Sequence, residues 1–129
     1  MPYTITVENN VIRVALTGRI TARDLVDLTT ESKNYEHNVD VIPHRITDMT
    51  GVEELAIHFP DISALAARRG PLRFPNSFKS AIIARDILHL GYARMFQTLN
   101  ENPQIVVRIF PDEASAIKWI ASPDDFAHA

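Results

Sequence analysis

Residues 79–110 read KSAIIARDILHLGYARMFQTLNENPQIVVRIF, and the succession of apolar run, amphipathic stretch and second apolar run decides the fold. Lys79 to Ala84 is a compact apolar segment of strand length, the kind buried on both faces at the centre of a parallel sheet. Asp86 can cap a helix over Ile87 to Asn100, in which Leu88, Tyr92, Met95 and Leu99 share one stripe and Pro103 soon follows the end. Ile105 to Phe110 is again a strand. Two strands joined through a helix form a parallel pair with a right-handed crossover. Gly91, in mid-helix, costs about 1 kcal/mol relative to alanine. A close approach of helix to sheet, which a side chain would block, is the expected compensation.

The same alternation extends outward in both directions. On the C-terminal side, Asp112 caps a closing helix whose Ala116, Ile117 and Ile120 are expected to face inward with Trp119 alongside; residues 123–129 are expected to fray. On the N-terminal side, Tyr3, Ile5 and Val7 alternate, Asn9-Asn10 supplies a tight turn, and Ile12, Val14 and Leu16 resume the alternation as the second arm of a hairpin. Asparagine tolerates the positive φ angles such a turn requires. Gly18 is expected to end that strand. Thr21 and Asp24 have the spacing of a capping box, so a helix starts at Ala22, with Leu25, Leu28, Ser32 and Tyr35 on its sheet side and Glu31, Lys33 and Glu36 pointing elsewhere. Val41 to Asp48 reads as the third strand, with a loop from Met49, and Pro60-Asp61 starts a short helix that stops at Arg68-Arg69-Gly70. The order is ββαβαβαβα: an α/β domain with a single mixed, mostly parallel sheet and an N-terminal β-hairpin, occupying residues 1–122.

Size and composition agree with one packed domain. The chain has 129 residues, 46% hydrophobic and 22% charged, enough to bury a core without a covalent staple. With no cysteine, disulfides, thiolate metal sites and thiol nucleophiles are excluded. A formal charge of −3 offers no overall attraction to nucleic acid or anionic lipid. The opening MPYTITVENN lacks the basic start and apolar stretch of a secretory signal, and no apolar run reaches bilayer-spanning length, so a cytoplasmic location is expected. Arg68, Arg69, Arg73, Lys79, Arg85 and Arg94 fall in one stretch and read as a solvated face with ordinary ion pairs.

Two stretches carry a family resemblance. Asp48-Met-Thr-Gly-Val52 resembles the strand-end Asp-Leu-Ser-Gly-Val of the anti-sigma-factor antagonists, and Phe78 to Ile120 follows the STAS-like pattern in order and spacing. The chain thus resembles the bacterial STAS-like group that stands near the CRAL-TRIO lipid-binding domains. The resemblance implies a regulatory or protein-interaction module with a protein partner, and its CRAL-TRIO side implies a small apolar ligand. Phosphorylation-switched antagonists carry a serine at the start of the helix after the strand-end aspartate. Here that region reads Leu55 to Ser63, and the nearest hydroxyl, Ser63, lies inside the short helix as the phosphoacceptor candidate.

Among chemistry-bearing residues, His37, His44, His58, His89 and His128 show no zinc-site spacing, and the four isolated glycines form neither a phosphate-binding loop nor a dinucleotide fingerprint. No metal, cofactor or catalytic residue is assigned, and a non-enzymatic role is expected. His44 and Asp48, four apart on one strand, or Asp48 with His58, are the acid-base pairing an enzyme would need. Leu55, Ile57, His58 and Phe59, with Leu72, Phe74 and Phe78, are more apolar than a solvated connection requires. They can be buried on their own sheet, against a second copy in a homodimer, or around an apolar ligand. Arg68, Arg69 and Arg73 would rim such a patch for an acidic partner or a lipid headgroup.

Overall fold

The computed structural model describes residues 2–123. Five strands form one sheet in sequential order: β1 (Tyr3–Glu8), β2 (Val11–Thr21), β3 (His44–Ala56), β4 (Phe78–Ile83) and β5 (Ile105–Phe110). β1 is antiparallel to β2, and every later neighbour is parallel. Four helices alternate with them: α1 (Ala22–His37), α2 (Phe59–Arg69), α3 (Ile87–Leu99) and α4 (Glu113–Ala121). The ββαβαβαβα order read from the sequence is the observed one.

Strands added in one direction by crossovers of one hand put their helices on one face. Accordingly α1, α2 and α3 cover the face carrying Leu16, Ile20, Met49, Phe78 and Ile82, while α4 crosses to the other face and closes Ile46, Ala81, Ile83 and Phe110 under Ala116 and Trp119. Ile20, fully buried, is the kind of side chain whose removal from water contributes about 1.5–3 kcal/mol. β4 has all six residues buried, as expected, and lies between β3 and β5.

Local signals act where the sequence placed them. Asn9 and Asn10 take φ of 52° and 61°, the left-handed pair of a two-residue hairpin turn. Thr21 and Asp24 exchange the two bonds of the capping box, and the Asp86 carboxylate accepts from the amides of Leu88 and His89.

Several expectations are corrected. Gly18 does not end β2: it stands within the strand at φ +68°, and β2 runs on to Thr21. Asp48 does not end β3, which continues for eight further residues to Ala56. Between Ala15/Thr17 and Gly18/Arg19 the register slips, each time with an extra residue on β3. These bulges break the period of two and make Met49 to Glu54 resemble a loop in sequence. At Gly51 a Cβ would come within 3.0 Å of the Leu16 carbonyl oxygen, so glycine is what lets the bulged strand lie against β2.

The expected helix stripes pack against the core through Leu25, Leu28 and Tyr35 in α1, Tyr92, Met95 and Leu99 in α3, and Ala116 and Ile120 in α4, but single positions differ. In α3 the buried residues are His89 and Ala93, while Leu88 is exposed and Gly91 faces open space, with nothing within 4 Å of a Cβ there. In α4, Trp119 is buried and Ile117 is exposed. In α1, Glu36 points into the core. The expected fraying of the tail falls, Pro123 apart, outside the described residues.

Candidate functional site

Along β3, alternation sends Arg45, Thr47 and Met49 beneath the helices and His44, Ile46 and Asp48 towards α4. The chain therefore presents two polar clusters, one on each face of the sheet.

Beneath the helices, Glu36 in the last turn of α1 meets Arg69 at the end of α2. The Arg69 guanidinium donates two parallel hydrogen bonds of 2.8 Å to the two Glu36 oxygens and lies 5.5 Å from the centre of the Phe74 ring. Asn102, fully buried, ties down the end of α2 by donating to the carbonyls of Arg69 and Leu72. Arg45 reaches the same carboxylate from the sheet, but only at 3.4 Å, and its Nε is buried without a hydrogen-bond partner. Burial, and then the neighbouring Arg69, push the Arg45 guanidinium down to about 10 against the pull of Glu36, which leaves it charged at neutral pH.

The two arginines of this triad, Arg45 and Arg69, form part of the wall of a cavity of about 130 Å³ between the sheet and α1, α2 and α3. The remaining wall is mainly apolar, with Leu25, Met49, Leu55, Ile57, Ile62 and Phe96 among its side chains. Ser32, Thr47, Ser80 and Tyr92 add a few polar atoms, and the Tyr92 hydroxyl donates to the Ile57 carbonyl, joining α3 to the segment between β3 and α2.

On the opposite face, Arg13 bridges Asp48 at 2.7 Å and also pairs with Glu113. Burial pushes the Asp48 carboxyl up, but the hydroxyl and amide of Thr50 and the Arg13 guanidinium outweigh it and hold it below its ordinary value. His44 accepts from the Lys79 backbone amide through Nδ1, and burial followed by the charge of Lys79 lowers its pKa. The hydrogen bonds of Asp48 go to Arg13 and Thr50, so neither His44 nor His58 forms the acid-base pair an enzyme would need with it. His58 is the N-cap residue of α2 and donates its backbone amide to Asp61.

The patch expected at residues 55–74 is divided by the fold. Leu55, Ile57 and Arg69 line the cavity, Phe59 and Arg68 are exposed, and Phe74 packs edge-on against Phe78 with Leu72 half-buried nearby in the chain. Arg69 is thus no part of a solvated rim. The wider basic stretch splits too: Lys79 is buried, donating to the carbonyls of Trp119 and Ser122, while Arg85 and Arg94 line a separate cleft with Arg108. Ser63 stands half-buried in the second turn of α2, away from its N-cap. Among the described residues no group of three or more histidine or carboxylate side chains is placed to hold a metal ion, and no helix is long and apolar enough to cross a membrane.

Glu36 and Arg45 were missed, although the signal was present. Position 36 continues the Leu25, Ser32 stripe by one further helical step, and positions 45, 47 and 49 are the alternate set to Ile46. A charged side chain suggests exposure, whereas periodicity places both positions inward.

No protein-family model matches the sequence, and neither does any curated protein. Among solved structures, the chain is similar to an uncharacterised protein of the DUF3478 family from Shewanella loihica PV-4, described as having a SpoIIAA-like fold. The match covers 92% of each chain with a TM-score of 0.61 at 18% sequence identity. The fold is SpoIIAA-like. Within that fold, the stretch Asp48 to Val52 is a bulged continuation of β3 rather than a loop, and the cavity lies under the helices that follow β2, β3 and β4.

Proposed function

We propose that this chain is a non-enzymatic module that binds a small apolar molecule in the cavity between its sheet and α1, α2 and α3. The observation that carries the reading is the cavity itself: about 130 Å³, mainly apolar in lining, and set within the main hydrophobic core. Protein interiors pack to crystal-like density, and an apolar void forfeits dispersion contacts that an occupant restores. An engineered apolar cavity of about 150 Å³ admits benzene, so a single ring or a short branched chain is the matching size.

Toluene added to isotopically labelled protein is expected to shift the methyl resonances of Met49, Leu55, Ile57 and Ile62 in a saturable manner. Ala93→Leu, which extends a side chain from α3 into the same space, is expected to abolish those shifts while the protein stays folded. Shifts scattered over the surface, or persisting undiminished in Ala93→Leu, would reject the cavity as the site.

A second reading, a protein-interaction module that pairs with another copy of itself, has its own support. Because β3 and β4 are parallel, the N-termini of α2 and α3 lie at the same end of the sheet. There Phe59, Ile87 and Leu88 are 53%, 87% and 54% exposed. Light scattering at micromolar concentration is expected to give a dimer mass that Phe59→Ser with Ile87→Ser reduces to a monomer; a wild-type monomer removes this reading.

A further inference from the structure

We infer that the occupant of the cavity is a monocarboxylate, its acid group held by Arg45 and its apolar body lying against the aliphatic and aromatic wall. The inference rests on the ligand-binding reading above and specifies its chemistry. Two guanidiniums at the cavity wall share one carboxylate: Glu36 spends both oxygens on Arg69 at 2.8 Å and leaves Arg45 a single long contact of 3.4 Å. The triad thus carries one uncompensated positive charge. Only 13% of the Arg45 side chain is exposed, and its Nε has no partner.

Burying a guanidinium so poorly paired is costly, and a buried charge is normally matched by hydrogen-bonded countercharge. A carboxylate entering the cavity supplies the missing countercharge and good hydrogen bonds to the guanidinium. Its oxygens accept from the two terminal Nη groups of Arg45, end-on to the guanidinium fork, and its single negative charge balances the triad at two cations against two anions. A phosphate monoester, mostly dianionic at neutral pH, would overcompensate. A neutral ligand would leave the charge as it is. The apolar remainder of the wall excludes a ligand with many polar groups, and the volume limits the body to about the size of one ring.

The test compares benzoate, benzyl alcohol and phenyl phosphate by calorimetry and by nitrogen-detected resonances of the arginine side chains in wild-type protein. Benzoate is expected to bind roughly ten- to a hundredfold more tightly than benzyl alcohol, as a charged hydrogen-bonded contact supplies, and to shift the Arg45 Nε resonance where benzyl alcohol does not. Arg45→Met is expected to remove that preference and leave benzyl alcohol binding unchanged. Should that variant not fold, the wild-type Nε shift decides alone. Equal affinities for benzoate and benzyl alcohol, or tighter binding of phenyl phosphate, overturn the carboxylate assignment while the ligand-binding reading stands. Failure of all three probes, with toluene also silent, overturns both.

Discussion

At the scale of single residues, the Glu36 carboxylate is the most consequential group in the interior. It lies between two guanidiniums on different elements, so its loss would leave both buried without countercharge. Breaking a buried pair by removing one partner costs about 3–5 kcal/mol. Glu36→Ala is therefore expected to lower stability by that amount in urea denaturation, while truncating the exposed Glu53 should change it by less than about 0.5 kcal/mol. Tyr3 shows the opposite case, a buried ring whose hydroxyl donates to Glu31 at 2.6 Å. That hydrogen bond, then burial, raises its pKa from 10.0 to about 12. The raised value favours the protonated folded form, so the contribution to stability is complete below pH 10 and is lost as the pH rises towards about 12. Ultraviolet titration should show one tyrosine ionising late, and Glu31→Gln should move it earlier.

At the scale of elements, the glycines separate strand from helix. Gly51 lets the bulged β3 approach the β2 backbone, so Gly51→Ala must displace a carbonyl 3.0 Å away and is expected to destabilise by about 1–3 kcal/mol. Gly91 has no such duty. Its surroundings are open and its backbone is helical, so Gly91→Ala is expected to stabilise α3 by about 0.5–1 kcal/mol. Thermal melts of the two variants should move in opposite directions; a loss at both positions would restore the close packing that the sequence suggested for Gly91.

At the scale of the whole molecule, acidification acts on the α4 face of the sheet, where β2, β3, β4 and α4 meet. His44 has its folded pKa lowered below 6.5, so the unfolded chain takes up that proton first, and stability falls as the pH drops through 6.5 towards the folded value. Asp48 is held below 3.8, so its contribution is present above that value and is lost as the pH falls through the lower folded pKa. Urea midpoints are expected to decline in two stages between neutral pH and pH 3. In His44→Gln the upper stage should disappear; an unchanged upper stage would place its origin elsewhere.

What the sequence determined by itself were the features encoded locally. The Asn9-Asn10 turn, the Thr21 and Asp86 caps, the doubly buried β4 and the strand-helix alternation each rest on a few adjacent residues, and all stand as read. The alternation alone implies a parallel sheet, because consecutive strands joined by helices must point the same way. The tertiary structure decided whatever depends on two distant segments meeting. The β3 bulges exist only against β2, and until that pairing is known Met49 to Glu54 has no strand period to display. Leu88 and Ile117 are exposed although Tyr92, Met95, Leu99, Ala116 and Ile120 of the same stripes pack inward, because how much of a stripe is covered depends on the neighbouring elements. Glu36, Arg45 and Arg69 lie up to 33 positions apart and form one charged cluster because three elements converge there. Each could be read singly as a solvated charge, and only their mutual burial, beside an apolar cavity, makes them a site.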